Sequence, residues 1–104
     1  MKVLHLPLKK EWYNMIESGV KTEEYREIKP YWTRRFIGMN QPLFSFREGY
    51  QQANVKGYTY VKFSYGYTKH TMTFEIKEIV IGKGNPEWGA PKEDVFIIKL
   101  GNRL

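Results

Sequence analysis

The chain has 104 residues and no cysteine, so disulfide bonds and thiolate chemistry are excluded. Seventeen basic against eleven acidic residues give a net charge of +6, which permits phosphate-bearing partners without requiring them. No apolar run resembles a signal peptide or approaches the about 20 residues of a membrane span, and we therefore expect a soluble, cytoplasmic protein.

This length fits one domain spanning residues 1–104. Its first part predicts a strand followed by a helix. Alternation over residues 2–6 indicates the strand, with Leu4 and Leu6 on one face and an end at Pro7. Apolar residues then recur at helical spacing until Ser18 and Gly19 end the helix. We expect a buried stripe and an exposed face: Trp12, Met15 and Ile16 in the core, Lys9, Lys10 and Glu17 in solvent.

Pro30 predicts a second, short helix that ends at Gly38, with Trp32 and Phe36 facing the core. A short strand near residues 43–47 and a polar loop over residues 51–56 follow. Strands are then expected at residues 58–65 and 71–81, joined by a turn at 65–69, with a bulge near Glu78. The glycines and prolines of residues 82–91 predict a loop, which can form the wall of a pocket. Residues 95–100 are apolar on both faces and predict a buried closing strand.

The most informative stretch runs from Gly19 to Arg26, between the first helix and the next strand. Thr22, Glu24 and Arg26 share one face of that strand, because residues two apart point to the same side. Lys21 lies on the turn before them. A carboxylate between two cations can bind a polar, planar ligand or can merely pin the turn. Desolvation lowers the pKa of a lysine, which can then act as a base or nucleophile. A neighbouring carboxylate such as Glu24 raises the lysine pKa and so opposes this effect.

The spacing Gly19-x-Lys21-x-x-Glu24-x-Arg26, placed after an amphipathic helix, resembles the signature of the ASCH domain family. Residues 4–12 resemble the opening strand and helix of that family, and residues 88–100 its closing strand. The resemblance implies a PUA-like, α+β fold with a small β-barrel-like mixed sheet and two short helices. It also implies RNA-related binding, or the hydrolysis of acetylated cytidine that some small bacterial members catalyse. Those hydrolases use a threonine where this chain has Glu24, so the resemblance supports the fold and the pocket better than the reaction.

A second feature is a segment without carboxylates, residues 49–74. Aromatic rings interleaved with cations can stack bases and contact phosphates, although tyrosines on a hairpin also pack on each other. The residues concerned are Tyr50, Tyr58, Tyr60, Phe63, Tyr65 and Tyr67 with Lys56, Lys62, Lys69 and His70. Of these, we predict that Tyr65 and Tyr67 bind the ligand.

The sequence therefore predicts RNA, or a modified nucleotide or nucleoside, in a pocket between residues 21–26, the second helix and residues 82–90. Lys21, Glu24 and Arg26 would contact this ligand. Two alternatives stay open: an amidohydrolase with Lys21 and Glu24 as catalytic residues, and a protein-interaction domain with a structural charge cluster. No metal or cofactor is expected, because His5 and His70 lack ligand spacing and the dinucleotide and phosphate-loop signatures are missing.

Overall fold

The computed structural model describes residues 2–38 and 51–104. The elements in this part of the chain are β1 (Val3–Leu8), α1 (Lys10–Glu17), β2 (Glu23–Glu27), α2 (Pro30–Phe36), β3 (Gln51–Gln52), β4 (Tyr60–Tyr65), β5 (Thr71–Gly82), a 3-10 helix (Pro86–Trp88) and β6 (Val95–Arg103). The strands form one sheet in the order β1-β4-β5-β6-β2, and β3 also pairs with β5. Among these described strands, only β1 and β4 pair in parallel. The sheet is a mixed half-barrel with two helices, which confirms the predicted α+β class.

β1 is longer than predicted, because Pro7 does not end it. The strand continues to Leu8, and Pro7 lies beside Ser64 of the parallel partner β4. Since β1 stands at the end of the strand order, a residue without an N–H is tolerated there. Leu4 and Leu6 share the buried face as predicted, and Leu8 continues that face.

α1 turns a different stripe toward the core from the one predicted. Ile16 is buried as expected, and Tyr13 is buried beside it, one turn earlier. Trp12 and Met15 are only half-buried, so their assignment to the core was wrong. The Trp12 ring instead packs against the backbone of Gly89. The predicted exposed residues are confirmed: Lys9, Lys10 and Glu17.

α2 begins at Pro30, where the missing N–H costs nothing because the first turn has no intrahelical acceptor for it. Phe36 is fully buried and packs edge-on against Phe96 of β6, with ring centroids 4.9 Å apart. Trp32 stacks on Phe36 at 5.7 Å but stays partly exposed. The helix stops before Gly38, whose φ of +95° suits glycine.

The C-terminal strands agree with prediction to within a few residues. β4 begins two residues later than expected, β6 extends to Arg103, and the turn between β4 and β5 is confirmed. The β5–β6 register shifts between Phe74 and Glu78, which confirms the predicted bulge. The sequence missed two elements, β3 in the predicted loop at 51–56 and the 3-10 helix within residues 82–91.

The strand predicted near residues 43–47 lies outside the described residues. Within residues 2–38 and 51–104, no helix is long and apolar enough to cross a membrane.

Candidate functional site

A pocket of about 410 Å³ opens where β2 meets the beginnings of α1 and α2 and the loop after β5. All three tryptophans of the chain line it: Trp12, Trp32 and Trp88. Each of them is half-buried and so keeps part of its surface open to solvent. Glu24 and Arg26 supply the charged part of the wall. We call this feature the tryptophan pocket; it lies where the sequence predicted a pocket.

The three charged residues of the predicted cluster lie together. The Lys21 ammonium contacts Glu24 Oε1 at 3.1 Å, and Arg26 Nη1 donates to Glu24 Oε2. β2 places Glu24 and Arg26 on one face, as the two-residue spacing predicts. Each oxygen of the carboxylate therefore has its own cation, which holds the carboxylate in one orientation.

Lys21 lies behind the pocket wall instead of in the pocket. It is only 1% exposed and is not among the residues that line the pocket. Its Nζ donates to the Trp88 carbonyl oxygen at 2.8 Å and lies 4.6 Å from the centre of the Tyr25 ring and 5.4 Å from that of Trp12. Such cation–π contacts are favourable when desolvated. Lys21 thus connects Glu24 to the aromatic walls of the pocket. The prediction placed Lys21 beside the ligand, whereas the structure places it outside the pocket lining.

The pKa of Lys21 is lowered from its ordinary value, and burial is the main cause. The neighbouring carboxylate of Glu24 raises it by a smaller amount. The sequence left open which of these two opposing effects is larger, and burial is the larger.

Arg26 connects three parts of the fold beside the pocket. Besides Glu24, its Nη1 donates to the Tyr25 carbonyl at 2.7 Å and its Nη2 to the Pro7 carbonyl at 3.3 Å. The guanidinium carbon also lies 5.3 Å from the centre of the Trp32 ring. Because β1 and β2 are the two ends of the strand order, the contact with Pro7 bridges the open side of the half-barrel.

The loop after β5 is held against β2 and α1 by two close backbone approaches. A Cβ on Gly84 would lie 2.7 Å from the Tyr25 ring, and one on Gly89 would lie 2.9 Å from the Trp12 ring. Gly89 also has a φ of +96°, which other residues rarely adopt. These two glycines let the loop dock closely, and the docked loop places Trp88 on the pocket.

The Tyr25 hydroxyl fixes the same loop through hydrogen bonds. It accepts from the backbone N–H of Asn85 at 3.0 Å and donates to Glu23 Oε1 at 2.8 Å. Burial raises the pKa of Tyr25 well above its ordinary 10.0. The phenol therefore keeps its proton, and with it the bond to Glu23, at any pH near neutrality.

The raised pKa of Tyr25 predicts a loss of stability in alkali. Above about pH 10 the unfolded chain loses this proton while the folded protein keeps it, so the free energy of unfolding falls as pH rises. Tyr25→Phe should make this decrease in the free energy of unfolding less steep. Part of the decrease should remain, because burial also raises the pKa of Tyr13. Urea unfolding at a series of pH values measures the slope, and parallel slopes for variant and parent would contradict the expectation.

Tyr65 and Tyr67 do not line the tryptophan pocket, contrary to their predicted place beside the ligand. Tyr65 packs edge-on against Tyr13 at 5.2 Å, and Tyr67 is 97% exposed in the β4–β5 turn. Two other aromatics of the acid-free segment, Tyr58 and Phe63, are buried in the core. Phe63 faces inward together with Val61 because alternate residues of β4 do so, whereas Tyr58 lies before that strand. Tyr50 lies outside the described residues.

The sequence reasoning missed the tryptophans as pocket residues. Trp12 and Trp32 lie on apolar helical stripes, and this spacing predicts core positions. The spacing therefore gave no indication that both side chains also line a pocket. Trp88 lies in the segment predicted to wall a pocket, which was the usable signal. Only folding shows that all three side chains converge.

The site carries an excess of positive charge. Lys9, Arg26 and Lys29 line the pocket together with Glu24 and Glu27, and Lys21 lies directly behind Glu24. Among the lining residues, three cationic side chains against two carboxylates leave one positive charge. Among the described residues, no group of three or more His, Asp or Glu side chains is arranged to hold a metal ion.

Comparisons with family models, with curated proteins and with solved structures give no significant match to this chain.

Proposed function

We propose that the chain is an ASCH-like domain of PUA-like fold that binds RNA, or a modified nucleotide or nucleoside, by holding one base in the tryptophan pocket. The observation that carries this proposal is the convergence of three tryptophans on a carboxylate held between two cations. The spacing Gly19-x-Lys21-x-x-Glu24-x-Arg26 supports the family assignment. The half-barrel sheet with two helices is compatible with it.

Aromatic walls and a fixed carboxylate suit a planar ring that carries N–H donors. Stacking of a base on an aromatic side chain contributes about 1–3 kcal/mol. A carboxylate has about four acceptor positions, of which Lys21 and Arg26 use two on Glu24. The remaining positions can accept from the amino group of a base, as acidic side chains accept from cytosine. Because the two cations already orient Glu24, binding need not reorganise it.

The volume and the charge narrow the class of ligand. About 410 Å³ lies near the lower end of the roughly 300–1,000 Å³ of small-molecule pockets, which suits one nucleotide unit. An aromatic box can also bind a methylated ammonium group. The net positive charge of the pocket lining opposes a cation and favours a neutral base linked to phosphate.

A second candidate function is hydrolysis of an acetylated nucleoside. The observation that favours it is a buried lysine of lowered pKa in contact with a carboxylate of the pocket wall. Glu24 faces the pocket, so Glu24 would activate the attacking water and Lys21 would position the carboxylate. Incubation with acetylated cytidine, followed by mass spectrometry, tests this directly. Release of acetate by the parent but not by Glu24→Gln would establish the reaction.

Intrinsic fluorescence tests the binding function, because every tryptophan of the chain lines the pocket. Titration with cytidine, its acetylated form and the monophosphates of the four common nucleosides should give saturable quenching for at least one of them. Ribose 5-phosphate is the control without a base, and choline the control with a cation. If neither fluorescence nor calorimetry detects binding of any nucleoside or nucleotide, and acetylated cytidine is not hydrolysed, both proposed functions fail. A protein-interaction domain with a structural charge cluster is then the remaining hypothesis.

A further inference from the structure

Two further depressions continue the tryptophan pocket along the exposed face of α1. The first adjoins the pocket at Lys9, which lines both, and extends over Lys10 to Asn14. The second adjoins the first at Asn14 and reaches Tyr65 and His70 at the β4–β5 turn. We call the two together the α1 groove. Its shared lining residues make one surface from the pocket to the turn.

We propose that the α1 groove holds the continuation of a single-stranded RNA chain, one base of which occupies the tryptophan pocket. This inference rests on the proposed function, and it adds a second stacking subsite at the β4–β5 turn. The preferred ligand is then an oligonucleotide instead of a free nucleoside.

The two ends of this path are held at a fixed separation by the sheet. The Gly66 N–H donates to the Leu8 carbonyl at 2.8 Å, and Leu8 lines the tryptophan pocket. The β4–β5 turn is therefore tied to the strand that forms the pocket wall. Between the ends, Lys10 and Asn14 are four residues apart and lie on one face of α1. From Lys10 to Asn14 the helix rises by about 6 Å, so the path extends beyond the pocket along α1.

The side chains along the path can make the two kinds of contact that single strands use. Tyr67 does not line the groove itself but stands on the turn that the groove reaches, and it exposes 97% of its surface there, so its ring is open to stacking. Lys9 and Lys10 lie exposed along the groove, and Lys69 is exposed on the turn. The groove also contains two carboxylates, Glu11 and Glu17. Its charge is therefore nearly balanced, and stacking at the turn carries the second subsite.

The experiment compares a ribonucleoside monophosphate with a hexaribonucleotide of the same base, by tryptophan quenching and by anisotropy of a labelled oligonucleotide. We expect the hexamer to bind at least tenfold more tightly. With about three phosphate contacts, at Lys9, Lys10 and Lys69, its logarithmic salt slope should be roughly −2.

Two variants locate the gain in affinity. Tyr67→Ala and Lys10→Gln should each weaken the hexamer about fivefold or more and leave the monophosphate unchanged. Tyr67→Phe keeps the ring and should retain the affinity. Lys77→Gln removes the same charge as Lys10→Gln from an exposed position on β5 that is not part of the groove, and it should have little effect.

The outcomes separate the groove from the pocket. If the monophosphate binds and the hexamer gains nothing, the groove is refuted and the pocket stands. Equal effects of Tyr67→Ala and Tyr67→Phe, or of Lys10→Gln and Lys77→Gln, also overturn the proposed path. If neither ligand binds, the proposed function fails and this inference fails with it.

Discussion

Replacing Lys21 with methionine should lower the free energy of unfolding by about 3–5 kcal/mol, the usual result of removing one partner from a buried ion pair. Methionine keeps most of the apolar stem and removes only the ammonium group. Glu24, which is 6% exposed, then keeps Arg26 as its cation but loses the contact at Oε1. The Trp88 carbonyl loses its donor as well. Urea unfolding followed by circular dichroism measures the difference.

Two further proteins make this result interpretable. Lys83→Met removes an exposed ion pair with Asp94, so it should cost only about 0–1 kcal/mol. Adding Glu24→Gln to the Lys21→Met variant should recover only part of the loss, because it removes the carboxylate charge that Lys21 no longer compensates but also leaves Arg26 without its ion pair. A Lys21→Met protein as stable as the Lys83→Met control would show that the buried contacts do not support the fold.

Replacing Trp88 with alanine should weaken nucleotide binding by about 1–3 kcal/mol, or roughly five- to 150-fold, because one stacking wall is removed. The backbone carbonyl that accepts from Lys21 remains, so the position of Glu24 is affected less than the wall. Trp12 and Trp32 still report the titration by fluorescence.

Trp88→Phe is the matched control for this variant. It keeps an aromatic face and should keep most of the affinity. Because Trp88 also packs on the small cluster that includes Tyr25 and Ala90, the unfolding of each variant is measured first. Affinity that is unchanged in a folded Trp88→Ala protein would show that the ligand does not stack there.

The features that the sequence predicts well are those set by local spacing. Glu24 and Arg26 share a face because they are two apart on a strand, and Pro30 and Gly38 mark the limits of α2. The bulge near Glu78 follows from a change of parity in the apolar pattern. Each of these signals lies within a few residues, so no knowledge of the fold is needed.

The features that it misses depend on packing between distant segments. Trp12 fits the helical stripe, but the loop at Gly89 holds its ring at the pocket wall. Lys21 was predicted to contact the ligand, yet Trp88, 67 residues later in the chain, helps to cover it. Pro7 is a strand breaker by local rules and is tolerated only because β1 is an edge strand.

Base binding in the tryptophan pocket can be tested most directly by NMR of the indole N–H groups. The chain has three tryptophans and all of them line the pocket, so a nitrogen–proton spectrum reports this site through three isolated signals. On addition of a saturating nucleotide, we predict that these indole signals shift together, and that the backbone amide of Lys77 does not move. Indole signals that stay in place, whether or not amides elsewhere respond, would contradict base binding in the tryptophan pocket.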